Sequence, residues 1–264
     1  MITLLNRFDD ENYLLKKEDI LEISSYYSKE NKIEPYLKDI FFTSDNGITT
    51  KYNEKEKIIT FNPKNVLEEC RRLLEEWKKN YPIDDKYDDY FMNYFYMQFI
   101  YRELVHVSQK KTLEEKDKDE LYLYLLKISN KLKENKPNIY KKIKKLTPKE
   151  REAHHIGLYT AYELMKYTKL PRKETKIMYL EYLKSILSSY IKNKDDVVSP
   201  IELLAEIDKN IDIMKINELI KAKKSSETEK MNLGLPITME EYTGMESNLQ
   251  KRLVKIEKNG NETR

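Results

Sequence analysis

Apolar residues recur at helical spacing through most of this chain, and the interruptions mark its turns and its few strands. Between 86 and 112 they fall on nearly every side of one helical run: Tyr87, Tyr90, Phe91, Tyr94, Phe95, Tyr96, Phe99 and Tyr101. A helix that is apolar all round is covered all round, so this one is expected at the centre. Over 114–135 the apolar positions narrow to one stripe, Leu121, Leu125, Ile128 and Leu132, which predicts an amphipathic helix. The same periodicity predicts helices over 148–168 and 173–192. Residues 200–224 are amphipathic. Residues 225–264 are polar and are expected to be partly ordered at most, with a helix near 238–257.

Start signals sharpen these boundaries. Pro63, Pro148 and Pro200 follow Asn62, Thr147 and Ser199, which are good N-cap residues, and proline suits the first helical position. Thr147 with Glu150, and Ser199 with Glu202, have capping-box spacing. Helices are therefore expected to begin at 63, 148 and 200. The period changes only between 38 and 62. There an Asp45-Asn46-Gly47 turn precedes alternation through Ile48, Thr50 and Tyr52, and then Ile58 and Thr60. This predicts two or three antiparallel strands, the one convincing sheet of the chain.

The expected fold is thus α+β and mainly α, with a small antiparallel sheet packed on helices. Asn193 to Asp196 read as a boundary, giving a domain over 1–196 and a helical, partly disordered C-terminal extension over 197–264. Five glycines in 264 residues, three of them beyond residue 230, agree with a helical protein of short connections.

Composition narrows the setting. With 36% charged residues and no run of eighteen apolar ones, no membrane span is expected. The N-terminus, MITLLNRFDDENYLL, lacks the apolar core and cleavage site of an export leader. A lone Cys70 cannot form an internal disulfide, which points to the reducing cytoplasm. Forty-nine basic and 46 acidic residues give a net charge of +3, too balanced to imply nucleic acid. The strongest nucleic-acid candidate is the 131–149 segment, which holds eight lysines and one acid. A solvated connection is the preferred reading there, because no arginines or stacking platform accompany the lysines.

The chemistry-bearing residues gather in two places. All three histidines lie in Arg102-Glu103-Leu104-Val105-His106 and Glu150-Arg151-Glu152-Ala153-His154-His155. In a helix, positions i and i+4 share a face, the spacing by which the histidines of H-E-x-x-H hold one zinc while the glutamate polarises its water. Here Arg102 stands at the first-histidine position, and arginine keeps its proton and cannot ligate metal.

The order of these motifs resembles that of small zincin peptidases of phages, plasmids and integrative elements. Arg102-Glu103-Leu104-Val105-His106 with Gln109 resembles their H-E-L-x-H-x-x-Q helix. Ile58-Ile59-Thr60-Phe61-Asn62-Pro63 resembles the edge strand and helix start before it, and Pro148 to Ala153 resembles their P-x-E-R-x-A helix. The resemblance covers about residues 38–168. It implies a zincin-like fold, Glu103 at the general-base position, His106 as a ligand, and Glu150 as the distal ligand with Glu152 as the fallback. With Arg102 in place it implies a pseudo-enzyme without metal that binds a protein partner, its empty site filled by an Arg102–Glu150 ion pair. A competing expectation is an active metalloprotein or metallohydrolase that recruits His154 or His155 alongside His106 and Glu150, with zinc as the metal the resemblance implies. A third is a ferritin-like di-iron bundle built on Glu103-x-x-His106 and Glu152-x-x-His155, with Glu69 and Glu120.

Overall fold

The computed structural model describes Arg7 and residues 13–81, 83–168, 172–193 and 196–259. The N-terminal stretch read for a leader lies, up to residue 12 and apart from Arg7, outside the described residues. The chain divides into two compact units, each made of two stretches: residues 1–111 with 156–175, and residues 112–155 with 176–264. The boundary expected at 196 falls inside the second unit. The observed divisions, after 111, 155 and 175, lie within continuous helices.

In the first unit, α1 (Lys17–Asn31) leads through a short turn to β1 (Asp39–Phe42), β2 (Thr50–Asn53) and β3 (Ile58–Phe61), followed by α2 (Pro63–Asn80) and most of α3 (Asp88–Glu115). The chain is mainly helical with a small sheet, as the periodicity predicts. The sheet is mixed, however. Its order is β1-β3-β2, with β2 antiparallel to β3 and β1 parallel to it. The turn at Asp45 to Gly47 does form, and the Gly47 amide donates to the Asp45 carboxylate at 2.9 Å. It sits in a loop that carries β2 past β3 to the far edge, so Ile58–Phe61 becomes the middle strand and not the edge that the resemblance implies. Pairing order depends on where a loop delivers the chain, and alternation within a strand is silent about that.

Helix α2 begins as expected, with the Asn62 side chain accepting from the Asn65 amide at 3.1 Å. Helix α3 is central: Phe91, Tyr94, Met97, Ile100, Tyr101 and Leu104 are all buried, packed in the same unit as Ile20, Ile23, Ile59 and Phe61. One polar residue interrupts this surface. Buried Asn93 accepts from the Leu15 amide at 2.9 Å and donates to the Tyr13 carbonyl at 2.6 Å. A buried side-chain amide is stable only with such partners, and here they pin the chain entering α1.

The second unit holds α4 (Glu120–Asn135), α5 (Pro137–Ile143), the start of α6 (Pro148–Met165), most of α7 (Arg172–Ser188), α8 (Pro200–Ile207), α9 (Ile213–Ala222), α10 (Glu227–Leu233) and α11 (Met239–Asn259). Leu121, Leu125, Ile128 and Leu132 bury their stripe against Tyr140, Ile201, Leu204, Ile211, Ile216, Leu233 and Leu235. The Ser199–Glu202 capping box forms. The box expected at Thr147 does not: its hydroxyl donates to the Lys144 carbonyl at 2.8 Å, and the Glu150 carboxylate meets Tyr140 and Lys144. A second small sheet, absent from the sequence reading, pairs β4 (Ile191–Asn193) with β5 (Asp196–Val197). Its residues are too polar and its strands too short to stand out as alternation.

The C-terminal segment is more ordered than its composition suggests. Met231, Leu233, Leu235, Met245, Leu249 and Leu253 are buried. The last three recur every four residues along α11, a stripe that abundant charge disguises.

Candidate functional site

Helix α3 delivers Arg102, Glu103 and His106 at the positions the spacing predicts, deep in an apolar helix. Glu103 is 2% exposed. Both of its oxygens are engaged. One accepts from the Thr50 hydroxyl at 2.9 Å and from Arg102 Nη2 at 2.6 Å, and the other accepts from the backbone N–H of Tyr52 at 2.8 Å. Arg102 adds a longer Nε contact of 3.2 Å to the first oxygen. Its side chain is only 17% exposed. β2 is an outer strand, and an outer strand's backbone N–H groups need partners that β3 cannot give. Glu103 supplies one, clasping the sheet to the helix.

Burial alone would push the Glu103 carboxyl up. The charge of Arg102, that of His106, and the hydrogen bonds from Arg102 and Thr50 outweigh it and hold the group below the ordinary glutamate value. His106, also buried, sets its Nδ1 at 2.8 Å from Gln109 Oε1. A carbonyl oxygen only accepts, so Nδ1 carries a hydrogen in this contact.

The remaining predicted site residues belong to the second unit. Glu150, 5% exposed, accepts from the Tyr140 hydroxyl at 3.0 Å and has Lys144 at 3.4 Å. Glu152 accepts from the Tyr122 hydroxyl. His155 is buried with its ring 6.0 Å from that of Tyr179, and burial pushes it down to about 4, so it is neutral at pH 7. His154 is half-buried. Of the two further carboxylates invoked for a di-iron site, Glu69 pairs with Arg72 at 2.6 Å and Glu120 with Lys215 at 3.1 Å. Cys70 is buried, which raises its thiol far above the reactive range despite the adjacent arginines.

Zinc, which the resemblance implies, finds an unsuitable donor set here. A guanidinium stands where H-E-x-x-H has its first imidazole, and it lies on the Glu103 carboxylate. Among the described residues, no three His, Cys, Asp or Glu side chains group so as to hold a metal ion.

Thr50 and Tyr52 escaped the sequence reading as partners of Glu103, because they lie more than fifty residues away and one contributes only its backbone. Gly157 escaped it too, although a lone glycine inside a helical pattern is a usable signal of close packing. A Cβ there would come within 3.0 Å of the Arg102 backbone nitrogen and 3.3 Å of the Gln98 carbonyl. Backbone atoms cannot step aside as a side-chain tip can. Gly157→Leu is therefore expected to lower the unfolding free energy by about 2–3 kcal/mol in urea titrations. Gly157→Ala should cost less, since alanine returns ~1 kcal/mol of helix propensity.

No described helix is long and apolar enough to cross a membrane. Comparisons with protein-family models, curated proteins and solved structures find no match to this chain.

Proposed function

We propose that this chain is a protein-binding module on a zincin-like framework, in which the catalytic glutamate has been turned to structural use. One observation carries the reading: every acceptor direction of Glu103 that meets a donor is spent on Arg102, Thr50 or Tyr52. A general base needs an oxygen turned to the water it deprotonates and a pKa near the working pH. Glu103 has its oxygens clasped and its pKa lowered. A framework that keeps its helix and sheet while its base serves as a brace is retained for what it binds. On the resemblance to mobile-element families, the proposed partner is a protein of such an element or of its host.

Zinc calorimetry on two forms of the full chain tests this. The wild type should take up no stoichiometric zinc and cleave no peptide substrate. Arg102→His restores an i, i+4 histidine pair with His106 and should gain zinc affinity at the micromolar level or better. One tightly held zinc in the wild type, with hydrolysis abolished by His106→Ala, would make the chain an enzyme. No gain of zinc on Arg102→His would remove the zincin kinship.

A further inference from the structure

The two charge signs are nearly equal over the whole chain, so a local excess is informative. From Lys127 to Lys145 there are eight lysines, and Glu134 is the only acid. The segment covers the second half of α4, α5 and the turn at Lys144–Leu146. Two of these lysines are tied to the unit that carries them: Lys136 to the Ile207 carbonyl at 2.7 Å and Asp208 at 3.7 Å, and Lys144 to Glu150 at 3.4 Å. The other six, Lys127, Lys131, Lys133, Lys141, Lys142 and Lys145, are exposed, and none has a carboxylate partner among the described residues. Other cations of the chain are paired, as with Arg72 to Glu69 and Glu76, Lys78 to Asp85 and Asp88, and Lys223 to Asp119 and Glu229.

From this we infer that the α4–α5 surface docks the phosphate backbone of a nucleic acid, without reading its sequence. Six exposed like charges with one acid among them make a local positive field that attracts a polyanion. The residue type selects among polyanions. Protein–protein interfaces are depleted in lysine, whereas lysine can bind phosphate as a point charge, without the bidentate specificity of arginine. The basic groups of this surface are all lysines. Its single aromatic residue, Tyr140, is buried with its hydroxyl on Glu150 and so cannot stack on a base. None of the six exposed lysines figures in the zincin-like reading, so the two stand or fall separately.

The test is fluorescence anisotropy of the full chain with a labelled 20-base-pair duplex of arbitrary sequence, at several salt concentrations. About five lysine–phosphate contacts predict a slope of log affinity on log salt near −4 to −5. Replacing Lys131, Lys141, Lys142 and Lys145 by glutamine should weaken binding at least ~10-fold at 50 mM salt and flatten that slope by about 3–4. These side chains are exposed, so circular dichroism should show an unchanged fold. The control neutralises as many cations on α11: Lys251, Arg252, Lys255 and Lys258 to glutamine. It should leave the slope nearly intact. Wild-type binding by the α4–α5 variant, or an equal loss from the α11 variant, would overturn the inference. So would polyglutamate displacing the duplex at equal charge concentration, which would assign the surface to an acidic polypeptide.

Discussion

Glu103→Ala should be the most damaging single substitution in the first unit, lowering its stability at pH 7 by about 3–5 kcal/mol. The loss has three sources. Arg102, with a side chain only 17% exposed, would be left as a charge without its counter-ion. The Tyr52 N–H and the Thr50 hydroxyl would lose their acceptor, and an unmet buried donor costs ~1–3 kcal/mol. A small cavity would remain. Glu103→Gln keeps an acceptor oxygen and the volume but not the charge, so it should cost about half as much. The pH dependence follows from the direction of the shift. The folded-state pKa lies below the unfolded one, so the contribution of ionised Glu103 is fully present above the unfolded value, about 4.3. It is lost as pH falls through the folded value. The stability gap between wild type and Glu103→Gln, read from urea midpoints, should thus be constant from pH 8 to 5 and close as acid protonates Glu103.

Arg151 should be nearly as costly, for the opposite electrostatic reason. It is 4% exposed, and among the described residues it has no carboxylate partner. Its guanidinium donates twice to the Met231 carbonyl, in the last turn of α10, and once to the Ser189 hydroxyl at 2.8 Å. It also lies 5.3 Å from the centre of the Tyr190 ring. The last carbonyls of a helix lack intrahelical donors and carry partial negative charge, so they suit a cation. Burial pushes the Arg151 pKa down, with Tyr190 and Tyr182 opposing it, so the residue is held at some desolvation cost. Arg151→Ala removes three charge-assisted hydrogen bonds to two acceptors, worth ~1.5–3 kcal/mol per acceptor, and relieves that cost, for a net loss of about 3 kcal/mol. Arg151→Met fills the volume and avoids the desolvation, and should lose about half as much. Because the contacts hold the end of α10, the first sign in both variants should be faster proteolysis within 227–259.

What could be read from the sequence was what local chemistry decides. Pro63, Pro148 and Pro200 start helices because cap and proline act within four residues. Glu103 and His106 share a helix because the apolar run around them spans many turns. What could not be read depends on distant chain. No pattern in β1 says that it will lie parallel to β3. Nothing near Glu103 shows that its carboxylate will be taken by a strand fifty residues earlier. The 200–224 stretch reads as amphipathic throughout, yet its helix breaks between Ile207 and Ile213, where Asp212 caps a new helix by accepting from the Lys215 amide. Polar composition concealed the buried stripe of α11 altogether. Motif spacing located the acid and the imidazole, but their partners set what those groups do.

The account turns on one carboxylate being a brace and not a base, and its titration can be observed directly. Carbon-13 NMR of a sample labelled at glutamate Cδ, assigned with Glu103→Gln, should show Glu103 titrating below the ordinary value of about 4.3 and unmoved by added zinc. A midpoint near neutrality, or a resonance displaced when zinc is added, would mean that Glu103 is poised for catalysis.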